Sequence, residues 1–106
     1  MSKAVVITYE TRPEQADSNE KLVAEVYAQL HALGRPGLRY ASFRLAGEDG
    51  SAGARFVHLA VMEEDSPGLA GLPAFEAFQE DLAERLIAPI VRTEATLVGA
   101  YGFGTP

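Results

Sequence analysis

The order in which this chain changes its hydrophobic period leaves few architectures open. Residues 4–10, AVVITYE, are β-branched and aromatic and read as a strand. Leu22, Val23, Val26, Tyr27, Leu30 and Leu33 then recur at spacings of three and four, the apolar face of a helix. Residues 38–45, LRYASFRL, and 54–62, ARFVHLAVM, return to a strand pattern. Phe75, Phe78, Leu82 and Leu86 give a second helical stripe, with the phenylalanine pair as core, and residues 90–101 form a last strand.

The punctuation agrees. Pro13 cannot donate to a sheet ladder and ends the first strand. Asp17 or Ser18 is the expected N-cap of the first helix, with Glu20 in its first turn. Gly34 suits the end of that helix, and Pro36 follows. The loop GEDGSAG, residues 47–53, is short enough to make strands two and three an antiparallel hairpin. Residues 63–73, EEDSPGLAGLP, read as an ordinary surface connection rather than a lid over a pocket. Pro73 opens the second helix, Pro89 stops it, and GFGTP is a tail. The resulting order, βαββαβ, is the α+β ferredoxin-like arrangement: one four-stranded antiparallel sheet with two helices on one face.

The chain's 106 residues fit one domain, 1–106, without a linker. A net charge of −6, with nine scattered basic residues, argues against a nucleic-acid or anionic-lipid partner. The absence of cysteine removes disulfides, thiolate metal sites and a cysteine nucleophile. His31 and His58 form no close pair, so no metal site is expected, and His31 reads as helix surface. The glycines at 99, 102 and 104 lack the strand-to-helix context of a phosphate loop. No apolar run reaches membrane-spanning length and the first residues lack a signal pattern, so a cytoplasmic location is expected.

Sheet parity then addresses the uncovered face. In strand three Val57, Leu59 and Val61 are uniformly aliphatic and are expected to face the helices. Phe56, His58, Ala60 and Met62 would then line the other face, with Val6 and Thr8 of strand one, Tyr40, Ser42 and Arg44 of strand two, and Arg92, Glu94, Thr96 and Val98 of strand four. Exposing Val6, Phe56, Met62 and Val98 would forgo roughly 1.5–3 kcal/mol each. A second copy placed sheet against sheet avoids that loss, and a two-fold pair is the commonest oligomer. His58 would then line a chamber between two sheets, a chamber present only in the dimer.

Three segments carry a resemblance: GLRYASFRL (37–45), RFVHLAVMEED (55–65) and AFEAFQEDLAERL (74–86). Together they resemble the antibiotic-biosynthesis-monooxygenase-like family of dimeric α/β barrels, over most of the chain. The resemblance implies a homodimer, and enzymatic members oxidise aromatic polyketide precursors without metal or flavin, so no cofactor is expected. The chain departs from the family where Met62 replaces a frequent Trp, where Pro73-Ala74 replaces a frequent His, and where Val6 stands at the Asn of haem-degrading relatives. The expected function is a cofactor-free monooxygenase or isomerase acting on a small aromatic ligand. The alternative is a non-catalytic metabolite-binding dimer. For catalysis His58 is the candidate base, with Arg44 and Tyr40 stabilising the substrate anion. Thr8, Ser42, Phe56, Met62, Glu94 and Thr96 are the candidate ligand contacts.

Overall fold

A computed structural model describes residues 3–46 and 53–102. The strands are β1 (Lys3–Thr11), β2 (Leu38–Arg44), β3 (Ala54–Met62) and β4 (Val91–Ala95). The helices are α1 (Ala16–Leu33), α2 (Pro73–Gln79) and α3 (Leu82–Arg85), with a 3-10 turn over Pro13–Gln15. All pairings are antiparallel and the sheet order is β2-β3-β1-β4, the ferredoxin-like arrangement. Most of the hairpin loop, residues 47–52, lies outside the described residues, as do the last four residues of the tail. Among the described residues no helix is long and apolar enough to cross a membrane.

The 3-10 turn moves the start of α1 ahead of the expected caps. Gln15 precedes the helix, and Asp17 lies in its first turn. Gly34 ends it at φ 75°, its N–H donating to the Leu30 carbonyl as the sequence suggests. Leu33 falls off the apolar stripe and is exposed. The expected single second helix is broken. Glu80 is extended, Asp81 takes the left-handed conformation at φ 59°, and α3 begins after it. The carbonyls freed by the break are taken by Arg85, which donates to Phe78 O and Glu80 O. The chain then pairs back onto β1, through Arg12 N to Arg85 O and Ile87 N to Glu10 O. Gly53 sits so close to this junction that a Cβ there would lie 1.9 Å from Thr11 O, so only glycine fits. The last strand stops at Ala95, short of the expected residue 101, and residues 96–102 run on exposed.

Tyr9, Val26, Phe56, Ala74, Phe78 and Leu86 form the core between sheet and helices. This core reverses the expected parity of three strands. Side chains directly opposite in an antiparallel ladder share a face. Ile7 faces the helices, and its partners are His58 and Arg92. Ser42 pairs with His58, Tyr40 with Ala60, and Arg44 with Phe56. The even-numbered residues of β2, β3 and β4 therefore point toward the helices rather than away from them. The helix-free face carries three cross-strand rows instead: Phe43–Val57–Thr8–Val91, Ala41–Leu59–Val6–Thr93 and Arg39–Val61–Ala4–Ala95. Val57 and Leu59, expected to face the helices, lie half-buried at the centre of that face, and Val61 lies on it but is buried. Only β1 keeps its expected orientation, with Val5, Ile7 and Tyr9 inward and Val6 and Thr8 outward.

Candidate functional site

A cavity of about 230 Å³ opens between the sheet and the helices of a single protomer. Its floor is Val5, Ile7 and Tyr9 of β1, Leu38 and Tyr40 of β2, and His58, Ala60 and Met62 of β3. Phe75, Phe78, Gln79 and Leu82 form the roof, Leu69 and Ala70 of the preceding loop one wall, and Ile90 and Arg92 the other. The pocket is thus intramolecular: His58, Tyr40 and Met62, expected between two sheets, lie under the helices of one chain. The physical reason is the register of β1 with β3: once Tyr9 and Ile7 point inward, His58 must follow.

The pocket is mostly apolar, and its polar end is one continuous network. His58 is 3% exposed and both ring nitrogens are engaged. Nε2 lies 2.7 Å from Tyr9 Oη, while Nδ1 lies 2.7 Å from Tyr40 Oη and 2.8 Å from Ser42 Oγ. Ser42 is in turn 2.8 Å from Tyr27 Oη on α1. Tyr9 Oη also accepts from Asn19 Nδ2 at 2.9 Å, and Asn19 Oδ1 accepts from Arg85 Nε at 3.1 Å. The rings of Tyr9, Tyr40 and Phe78 all lie within 5.8 Å of the imidazole, centroid to centroid. Burial without a counter-charge pushes the His58 pKa down to about 4, so the ring is neutral at pH 7. Burial likewise pushes Tyr9 up to about 12 and raises Tyr40 and Tyr27, so all three phenols keep their protons.

Of the sequence candidates, His58, Tyr40 and Ser42 are brought together, and Met62 lines the same pocket. The others are not. Arg44 turns to α1, 3.0 Å from Glu20 and 3.4 Å from Asp17, and is not part of the pocket lining. Phe56 is core, stacked on Tyr9 at 5.4 Å. Thr8 lies on the open face, Glu94 is an exposed edge residue 4.0 Å from Arg92, and Thr96 lies beyond β4. Sequence reading missed Tyr9, Tyr27, Asn19 and Arg85 as site residues. Asn19 carried a signal: it is fully buried and sits three residues before Leu22 on the apolar stripe, where a polar side chain needs a partner. Arg85 likewise follows Phe78 by two helical turns.

The loop expected to be a plain connection forms a pocket wall. Arg35 fastens it, donating from Nη1 to the carbonyls of Gly68 and Ala70 at 2.9 Å each. Such charge-assisted bonds contribute about 1.5–3 kcal/mol each. In Arg35→Ala the amides of Ala70 and Leu72, which bond within this loop, are expected to exchange with solvent about 10- to 100-fold faster. Unchanged protection in hydrogen-exchange mass spectrometry would show that the loop holds itself.

No known family's sequence profile matches the chain, and no curated protein matches it. Solved structures do. A candidate antibiotic biosynthesis monooxygenase from Caulobacter crescentus superposes with a TM-score of 0.67 at 19% identity, covering 92% of this chain and 91% of its own. The fold is that of the antibiotic-biosynthesis-monooxygenase proteins. SnoaB, a cofactor-independent oxygenase from Streptomyces nogalater, aligns at a TM-score of 0.62 and 17% identity, over 95% of this chain and 97% of that one. A dimeric ferredoxin-like protein of unknown function from Thermobifida fusca aligns at 0.58 and 19%, over 90% and 92%. At these identities the likeness to the monooxygenase structures is one of fold.

Proposed function

We propose that the chain is a cofactor-independent oxygenase-type enzyme whose substrate is a small aromatic of one or two rings bearing a phenolic or enolic oxygen. The observation that carries the reading is the pocket itself, apolar on its floor and roof and closed at one end by Tyr40, His58 and Tyr9. Its 230 Å³ exceeds the roughly 150 Å³ known to admit benzene but falls below the 300 Å³ at which drug-sized pockets begin. Tyr40 hydrogen-bonds the substrate oxygen and stabilises the anion formed when that oxygen, or the ring CH₂ conjugated with it, loses a proton to solvent water. The electron-rich ring then reacts with dioxygen directly. A ring CH₂ becomes C=O, and the second oxygen atom leaves as water with both hydrogens, so the four electrons lost by carbon are those gained by O₂. His58 is not free to act as the base, because protein hydroxyls occupy both of its nitrogens; it holds Tyr40 in place.

Oxygen uptake with 1-naphthol, a two-ring phenol whose keto tautomer carries the ring CH₂, tests the reading. Tyr40→Phe is expected to lower kcat about 100-fold while still binding naphthalene. Binding of 1-naphthol with no oxygen uptake by the unaltered protein would overturn it in favour of a non-catalytic metabolite-binding role.

We further propose a homodimer through the open sheet face. Phe43 at 50% and Val91 at 58% exposure are apolar side chains that a monomer would leave in water, beside Leu59, Val57 and Val6. Leu97, Val98 and Tyr101 of the exposed C-terminal run extend the same kind of surface. A second copy is the occupant that this largely apolar face fits.

A further inference from the structure

We propose that the buried Arg85–Asn19–Tyr9 chain locks His58 in its Nδ1–H tautomer, which makes the polar end of the pocket a hydrogen-bond donor and selects aromatic ligands carrying a carbonyl or oxyanion oxygen. The inference deepens the functional reading above and rests on it for the kind of ligand, but not for the tautomer. The direction of each bond follows from the one before. Arg85 has only donors, so the Asn19 atom 3.1 Å from its Nε is the amide oxygen. The amide nitrogen must then face Tyr9, to which it donates at 2.9 Å. Turning the amide over would set two donors against each other at Arg85. Tyr9 Oη therefore accepts from Asn19, and among the described residues its single hydrogen has one acceptor within reach, Nε2 of His58 at 2.7 Å. Were Nε2 protonated instead, the Tyr9 hydrogen would be buried without a partner.

With Nε2 bare, the proton of the neutral ring sits on Nδ1, between Tyr40 Oη and Ser42 Oγ. Ser42 already shares a hydrogen with Tyr27. With Nδ1 protonated, Tyr40 cannot give its hydrogen to the imidazole, and a ligand oxygen in the cavity it lines can take it. Arg85 and Asn19 never touch a ligand; they are positioning residues that act through Tyr9 and His58.

The tautomer is read from ligand-free protein by long-range ¹H–¹⁵N NMR of His58 at pH 7. Protonated-type Nδ1 and bare-type Nε2 are expected; the reverse assignment would overturn the proposal, whatever any variant does. Asn19→Asp is nearly isosteric and keeps the Arg85 contact, but its carboxylate can only accept from Tyr9. Tyr9 must then accept from His58, so the tautomer is expected to invert, and an uninverted ring in a folded variant would contradict the mechanism. In binding measurements 1,4-naphthoquinone is expected to bind the unaltered protein about tenfold more tightly than naphthalene, the worth of one hydrogen bond. That preference should vanish in Asn19→Asp. Equal affinities in the unaltered protein would remove the donor role. Oxygen uptake plays no part in these readouts, so a correct tautomer without turnover sinks only the oxygenase reading, and turnover with the wrong tautomer sinks only this one.

Discussion

Acidifying the protein from pH 7 to pH 4 is expected to remove about 3 kcal/mol of folding stability through His58 alone. The folded ring resists protonation until about pH 4, whereas an unfolded histidine titrates near 6.5. Between those values the unfolded state binds the extra proton, so stability rises with pH across the window. The full contribution is present above about pH 6.5, is lost progressively as pH falls, and stops changing with this residue below about 4. At about 1.4 kcal/mol per pH unit, the loss is large beside a typical net stability of about 5–15 kcal/mol. Urea unfolding at pH 7, 6 and 5 measures it. His58→Gln has no imidazole to titrate, so its stability should fall by about 1.2 kcal/mol less than that of the unaltered protein between pH 6 and 5. Parallel profiles would mean that the ring is solvated in the folded state. In the folded protein the ring gains its charge only as pH falls through about 4, so ligand binding should weaken there and hold steady between pH 7 and 5.

An aspartate at the centre of the open face should take the proposed dimer apart while sparing the pocket. Val6 and Leu59 are cross-strand partners in the middle row, so either carboxylate would be buried within the proposed interface. An unpaired charge in an apolar interface costs several kcal/mol, so Val6→Asp or Leu59→Asp should raise the dimer dissociation constant at least about 1000-fold. Sedimentation equilibrium at micromolar protein distinguishes the two species, and circular dichroism reports whether the fold is kept. A variant still dimeric by sedimentation would place the interface elsewhere. The ligand result is the informative one. A chamber between two sheets would vanish with the dimer, whereas a pocket roofed by Phe75 and Phe78 of the same chain survives. Naphthoquinone binding by the monomeric variant is therefore expected to stay within about threefold of the unaltered protein.

The polar network explains why the site was only half legible. His58 stood out because it interrupts an aliphatic strand, and Tyr40 and Ser42 because they share its neighbourhood. Their partners did not stand out, since Asn19 and Arg85 lie 39 and 27 residues away in the chain and meet only when α1 and α3 close over β1. The break at Glu80–Asp81 was hidden for a related reason. Phe75, Phe78, Leu82 and Leu86 keep helical spacing across it, and what stabilises the interruption is the Arg85 guanidinium on the freed carbonyls, a contact that no local propensity encodes.

Local chemistry was enough to determine the βαββαβ order, most element boundaries to within a few residues, and the presence of two unlike faces on each strand. It could not determine which face of β3 looks inward. A two-residue alternation reads the same after a one-residue slip, and a uniformly aliphatic set such as Val57, Leu59 and Val61 suits a core and a subunit interface equally well. The tertiary structure decided the matter through the β1–β3 ladder, where the inward Ile7 fixes His58 opposite it. That single non-local register moved the polar cluster from between two protomers to beneath the helices of one.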